Sequence, residues 1–441
     1  MRSITVFWLT LWLLMSALVQ AETDWPQFRG SGGQGHADSH DLPLHWSETE
    51  GIVWKSPIVG RGWSSPVVLQ GSIWLTTAIE QHASEQQREE FLANSLAGTS
   101  PMAGALNVAA SVSLRAVEVD LKTGEVLREI ELFQLDSSAG IHQLNSYASP
   151  TPVIEQGRLY CHFGTFGTAC LDTTTGETLW HRQFRLEHMV GPGSSPVVCG
   201  NLVVLTCDGA DQQYIVAVDK HSGETAWRTD RPPIRASEGD FRKAFSTPLL
   251  IEATGREQLV IPGAQWFVAY DPASGEELWR VDHGRGFSNV PRPVFDGQLV
   301  YLCTGFASDK LLAVRPDGSG DVSATHVAWH KSGQIPHMSS PLLVDQRIYL
   351  ISDSGVASCL DTTGQRIWRD RIAGKYSASP LYADGKIYVC SHAGRTTVFA
   401  PGDQYQQLAE NDLDGAIMAS PAVADGDLLL RTDTHLYRIG R

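Results

Sequence analysis

The chain is 441 residues long, 42% hydrophobic, 19% charged and 9% aromatic, enough apolar material for a large core. This excludes a disordered tail, a collagen-like chain and a small disulfide-held scaffold, while length alone predicts about three domains of roughly 150 residues each. With 34 Lys and Arg against 49 Asp and Glu, the net charge of −15 repels phosphate backbones and argues against a nucleic-acid partner.

The first predicted element is a secretory signal. Met1-Arg2 precede an apolar run from Ile4 to Val19, and Val19 and Ala21 are the small residues before a cut at Glu22. That pattern predicts removal of residues 1–21. The mature chain has no other apolar run near 18 residues and no cysteine beside the cut. A soluble periplasmic or cell-envelope protein, not a lipoprotein and with no transmembrane segment, is therefore expected. Residues 22–50 form an N-terminal arm.

From residue 51 onward the chain repeats itself. Ser/Thr-Pro followed by alternating apolar residues occurs at Ser65-Pro66, Ser149-Pro150-Thr151-Pro152, Ser195-Pro196 and Thr247-Pro248. It returns at Pro291-Arg292-Pro293, Ser340-Pro341, Ser379-Pro380 and Ser420-Pro421, making eight copies about 40 to 50 residues apart beyond the first. Most units close with Asp-x-x-x-Gly-Glu and a tryptophan, as in Asp172…Gly176-Glu177…Trp180, Asp219…Trp227 and Asp271…Trp279. Asp361…Trp368 is one residue shorter, Trp329 ends a degenerate copy, and Leu127 stands in the Trp place of the first unit. The glycine suits a turn needing positive φ, and the tryptophan offers a large surface to wedge between sheets.

Spacing of this length is that of a four-stranded propeller blade. The last copy stops about one strand short at Arg441, and Gly51-Ile52-Val53-Trp54-Lys55 is a Trp strand without a unit before it. The predicted fold is all-β: a single eight-bladed β-propeller of four-stranded blades over 51–441, its ring closed by that N-terminal strand. An insertion of roughly 77–113 widens the first blade. Its Glu85–Leu92 stretch favours a short helix, and both a lid and a disordered excursion are open for the rest.

Seven cysteines recur at strand positions, which favours buried small hydrophobes. A four-residue loop over Gly164–Gly167 would set Cys161 opposite Cys170 and allow a cross-strand bridge.

These motifs resemble the PQQ-like repeat family, the quinoprotein alcohol dehydrogenase-like propellers that include outer-membrane assembly factors of the BamB type. The resemblance runs from Trp25-Pro26-Gln27-Phe28-Arg29-Gly30 to Arg441. It implies a propeller, with either a scaffold role or dehydrogenase chemistry on pyrroloquinoline quinone (PQQ) with Ca²⁺. The dehydrogenases' vicinal cysteine pair and haem motif are both missing here, as is the lipid-anchoring cysteine of BamB-type lipoproteins.

Propellers gather function where loops meet around the central channel. Loops leading into inner strands carry Arg61, Trp63, His142, Asn145, Tyr147, His188, Glu238, Asp240, Arg242 and Lys243, then Arg285, Phe287, Asn289, His337, Lys375 and Tyr376. Hairpin loops on the same face carry His162, Asp208, Asp211, Gln265, Trp266, Asp309, Asp353, His392 and Arg395. The funnel set predicted to meet a ligand is Trp63, His142, Asn145, Tyr147, His162, His188, Asp208, Asp240, Arg242, Lys243, Trp266, Arg285 and Asn289. Its polar and aromatic character suits an anionic, hydrogen-bonding ligand, against the plainer reading of a solvated rim. Asp208 with Asp211 offers oxygen ligands for Ca²⁺ or an ordinary turn, and Asp208 and Asp240 are candidate carboxylates for a sugar-cleaving site, whose pairing is a spatial quantity that sequence does not give.

No nucleophile elbow, phosphate loop or His-x-His pattern is present, so no catalytic or metal residue is assigned. The leading expectation is an exported, non-catalytic binding or assembly scaffold, with a protein or small molecule at the funnel. The alternative is a PQQ-dependent dehydrogenase oxidising an alcohol or sugar in the periplasm.

Overall fold

The computed structural model describes residues 24–440, in which strands dominate and helix is confined to Glu85–Asn94 and four short 3-10 turns. The expected signal segment 1–21 lies outside the described residues. The strands form eight sheets of four or five strands, each with its four main strands drawn from one repeat unit, and the arm strand His36–Ala37 adds to the edge of the seventh. In the third sheet, Val197–Cys199, Leu202–Asp208, Gln213–Asp219 and Thr225–Asp230 pair antiparallel in that order. The eighth departs from this rule. Ala422–Ala424, Asp427–Arg431 and His435–Ile439 are completed by Ile52–Pro57, with Ile52 opposite Ile439.

Local chemistry explains the repeated strands. Proline cannot donate to a ladder, so it sits just before the innermost strand of each unit. Asp384-Gly385 and Asp425-Gly426 then turn the chain, all four at positive φ as a type I′ hairpin requires. Asp219 Oδ1 accepts the backbone N–H of His221 and Ser222 to shape the outer turn, and Asp271 does the same for Ala273 and Ser274.

Most outer turns receive the tryptophan of the preceding unit. Trp180 Nε1 donates to Lys220 O at 3.1 Å, Trp227 to Pro272 O at 3.2 Å, Trp329 to Thr362 O at 2.8 Å, and Trp368 to Gly402 O at 2.9 Å. The ring lies so close over the turn glycine that a Cβ on Gly223 would come within 2.6 Å of Trp180. Glycine is therefore required twice over, for its φ of 69° and for this approach. Trp54 of the N-terminal strand makes the same bond to Leu121 O of the first unit, at 2.9 Å. Trp279 differs: it is fully buried and donates to Gln258 Oε1 within its own sheet.

The apolar residues pack between consecutive sheets rather than in one shared centre. One cluster joins Cys161 and Trp74 of sheets one and two, another Cys170 and Val203 of sheets two and three, and so on around the chain. The largest spans the arm and sheets seven, eight and one, with Trp25, Tyr388, Leu430 and Val119.

A second thread runs through the Ser/Thr-Pro motifs. Ser65 N donates to Thr151 Oγ1, Thr151 N to Ser195 Oγ and Ser195 N to Thr247 Oγ1. Arg292 N continues to Ser340 Oγ, Ser340 N to Ser379 Oγ, Ser379 N to Ser420 Oγ, and Ser420 N returns to Ser65 Oγ. The series is interrupted only at the fifth unit, where Arg292 replaces the hydroxyl.

The arm lies across the inner strands beside this series. Trp25 exchanges backbone bonds with Val68, Pro26 O accepts from Ile154 N, and His36–Ala37 pairs parallel with Tyr382–Ala383. Buried Arg292 holds it from the fifth unit, donating to Phe28 O at 2.6 Å and Gln27 Oε1 at 3.2 Å. Arg29 answers from the arm with two bonds, to Gln34 O and Pro341 O.

In the first unit, Ser72–His82 and Leu106–Asp120 are unusually long strands, and the helix Glu85–Asn94 lies in the loop between them. Ser84 and Gln87 close the helix start as a reciprocal capping box.

All seven cysteines are free and buried. The bridge that a four-residue loop would allow between Cys161 and Cys170 is not formed. Gly164–Phe166 makes a 3-10 turn inside a longer loop, so Cys161 pairs with Ala169 and Cys170 with Tyr160. This one-residue offset points the two thiols to opposite faces. Burial raises the thiol pKa of Cys170 to about 11 and of Cys207 to about 12. A thiol reagent should therefore label none of the seven in the native protein and all seven after unfolding in guanidinium.

Candidate functional site

A cavity of about 510 Å³ is lined by residues from the inner-strand loops of all eight units. The repeat itself dictates its walls: the residue two places before each series position lines it. These are Trp63, Ser149, Gly193 and Phe245 from the first four units. Val290, Met338, Ser377 and Met418 follow from the others. Below them lie six of the series residues, including Ser65, Thr151 and Ser420, and Phe28 of the arm reaches the cavity from that end.

The mouth is apolar on two sides. Phe241, Phe287 and Phe306 form a run of ring contacts at 4.9 and 6.3 Å, ending on His337 stacked 4.6 Å from Phe306. Opposite, Trp63 lies under the Arg61 guanidinium at 5.1 Å and donates Nε1 to Leu144 O. Met102, 44% exposed, arrives from the first unit's insertion, which is tied down where Gln143 N donates to Ala105 O.

Charges at the cavity are largely engaged with one another. Lys243 is 2% exposed and pairs with Asp240, also donating to the Asp240 carbonyl at 3.0 Å. Burial lowers the Lys243 pKa and Asp240 opposes that shift. Asp353 Oδ1 accepts the backbone N–H of His337 and Met338, and Oδ2 meets His337 Nδ1 at 2.9 Å. Ser377 Oγ lies 2.8 Å from His392 Nε2, an imidazole kept below its usual pKa by burial and then by Lys375.

The hydrogen bond from Asp353 raises the His337 pKa above the ordinary value of 6.5. The pair therefore adds stability that is complete below pH about 6.5 and is lost as pH rises through the raised native value. NMR titration should find His337 above 6.5, and Asp353→Asn should bring it down to that value or below.

Of the predicted funnel residues, the fold brings Trp63, His142, Asn145, Asp240 and Lys243 to the cavity. Asn145 acts there as a brace, with Nδ2 donating to Val190 O and Pro192 O. The others do not line it. Tyr147 is buried and donates to Ala139 O at 2.6 Å. His162 and His188 are buried against Thr168 Oγ1 and the Thr165 N–H, with pKa values pushed by burial to about 3 and about 4. Asp208 is locked to buried Arg231 while Asp211 caps Glu187 N, so the two carboxylates do not converge on a cation, nor does Asp208 pair with Asp240. Arg242 reaches Gln213, Trp266 lies beneath Arg280 with Nε1 on Pro233 O, Asn289 is buried against Gly263 O, and Arg285 is exposed.

The apolar liners were not among the predicted set, although Phe245, Met338 and Met418 occupy one fixed place in the repeat. Repeat register was the signal that pointed to them. Among the described residues no three His, Cys, Asp or Glu side chains gather as a metal site, and no helix is long and apolar enough to cross a membrane.

No curated protein sequence matches the chain. Its fold is similar to that of BamB from Moraxella catarrhalis, at 13% identity and a TM-score of 0.53, covering 74% of this chain and 94% of that one. It is similar also to the quinohemoprotein alcohol dehydrogenase of Comamonas testosteroni, at 11% identity and a TM-score of 0.65 over 96% of this chain and 81% of that one. A second such dehydrogenase, ADHIIG from Pseudomonas putida HK5, gives 12% identity and 0.63 over 95% and 80%. These likenesses are of fold. The family model described as outer membrane protein assembly factor BamB matches residues 44–229 and 263–406, well over half of the sequence. With that match and the repeats described above, the chain belongs to the BamB-type family of PQQ-like repeat β-propellers.

Proposed function

We propose that the protein is an exported, non-catalytic binding and assembly module of the cell envelope. In this reading residues 1–21 are a cleaved signal, 22–50 the arm and 51–441 one closed eight-bladed propeller of four-stranded blades. The hydroxyl series that returns from Ser420 to Ser65 and the pairing of Ile52–Pro57 with His435–Ile439 support that closure. The observation that carries the function is the cavity's lining. Aromatic and aliphatic side chains surround a space of about 510 Å³, and its acidic groups, Asp240 and Asp353, are both engaged by neighbours. Such a site holds an apolar ligand or partner side chain, and neither of its carboxylates is free to act as acid or base.

The dehydrogenase reading draws on the fold likeness over 96% of the chain. PQQ is a tricarboxylate quinone, and with Ca²⁺ it needs several cationic or amide donors and a cage of carboxylate oxygens. The residues here do not fit it: Lys243 is consumed by Asp240, and among the described residues no three His, Cys, Asp or Glu side chains gather to hold the cation. Titration of the mature chain with PQQ and Ca²⁺ is expected to give no thermal shift and no dye-linked oxidation of alcohols or sugars. Turnover that Trp63→Ala or His142→Ala abolishes would overturn the reading.

A further inference from the structure

We infer that the cavity binds a long-chain carboxylate, its apolar body lying in the channel and its single acidic head held at Lys375. This deepens the binding reading above and rests on it. Three observations converge on that ligand class.

The first is the distribution of polarity around the wall. Of the eight positions set by repeat register, only Trp63, Ser149 and Ser377 carry a polar side-chain group, and Trp63 Nε1 is spent on Leu144 O. Ser149 Oγ is spent on Asn145 Oδ1 at 2.6 Å. Ser377 instead joins His392, whose backbone N–H is fixed on Lys375 O, so at the seventh unit a hydroxyl, an imidazole and an ammonium come from one corner of the wall.

The second is charge. Lys243 is neutralised by Asp240, and Asp353 is occupied by His337 and the Met338 N–H. Among the described residues no carboxylate lies within ion-pair distance of Lys375, which is exposed at the mouth. One positive charge is left over, beside a hydroxyl and a neutral imidazole. That complement matches one singly charged carboxylate; the forked guanidinium donors that favour a dianionic phosphate or sulfate do not line the cavity.

The third is size. Phe287 and Phe306 of the mouth and Phe28 of the arm all line the cavity, and its volume of about 510 Å³ falls within the range of roughly 300–1,000 Å³ common for small-molecule sites, enough for one apolar chain.

The test is calorimetric titration of the mature chain with laurate and, separately, dodecanol, both below their aggregation limits and without calcium. Laurate is expected to bind one to one and about five- to tenfold more tightly than dodecanol. Lys375→Met should lower laurate affinity to the dodecanol level and leave dodecanol unchanged. Lys375→Glu should reject laurate and accept dodecylamine. Lys375 is exposed, so these variants should fold, which near-UV circular dichroism checks. Equal binding of laurate and dodecanol, or laurate binding indifferent to Lys375→Met, overturns the acidic-head assignment while leaving an apolar binding site. Failure of both probes to bind overturns the inference entirely. Oxidation of dodecanol by the PQQ-treated protein would instead strike at the non-catalytic reading.

Discussion

Asp208→Ala is expected to destabilise the protein by about 3–5 kcal/mol, because it strands a buried guanidinium. Arg231 and Asp208 are 3% and 1% exposed at their side chains and meet through two bonds, Nε to Oδ1 at 3.1 Å and Nη2 to Oδ2 at 2.7 Å. Arg231 also donates to Ile261 O and Pro262 O, so it ties the third sheet to the fourth. Burial alone would lower its pKa; Asp208 and Tyr270 together outweigh burial and keep the group charged. Removing the carboxylate leaves that charge with carbonyl dipoles only. Urea denaturation of the wild type and variant measures the loss, and a cost under about 1 kcal/mol would mean that water replaces the carboxylate. Asp208→Asn keeps the shape and should lose less.

Arg292→Ser carries the second large effect, about 3 kcal/mol from bonds that a charged donor makes to the arm and to Pro248 O. The variant discriminates between two roles of one position. Serine restores the hydroxyl that the other units carry, so if the series dominated, the protein would gain stability. The structure favours loss, because Gln27 Oε1 and Phe28 O would be left without their donor where the arm is buried. Burial holds the pKa values of Arg292 and Arg29 down to about 9, and both remain charged at neutral pH. Proteolysis provides the second readout: cleavage within residues 24–35 should accelerate in Arg292→Ser and stay slow in Lys375→Met.

The repeats made the sheets legible in sequence because each motif acts between neighbouring units. A tryptophan, a glycine at positive φ and an aspartate turn are local signals, and their bonds join consecutive turns, as Trp180 with Lys220. The funnel was less legible. Polarity in a loop says that water or a partner is near, and for His162, His188 and Asn289 the partner is the protein itself. Apolar residues such as Phe245 and Met338 resemble core residues until the register shows eight equivalent positions facing one space. Cys161 and Cys170 missed each other through one residue of loop length, which composition does not fix.

The eighth sheet has a consequence for how the molecule is made. Its first-synthesised strand, Ile52–Pro57, waits for His435–Ile439, nearly the full length of the chain later. Contacts of such sequence separation form slowly, since the loop they close must be ordered first. Seven sheets can assemble from local pieces, but the seam between the two ends, and with it the Trp54 bond to Leu121, must come last.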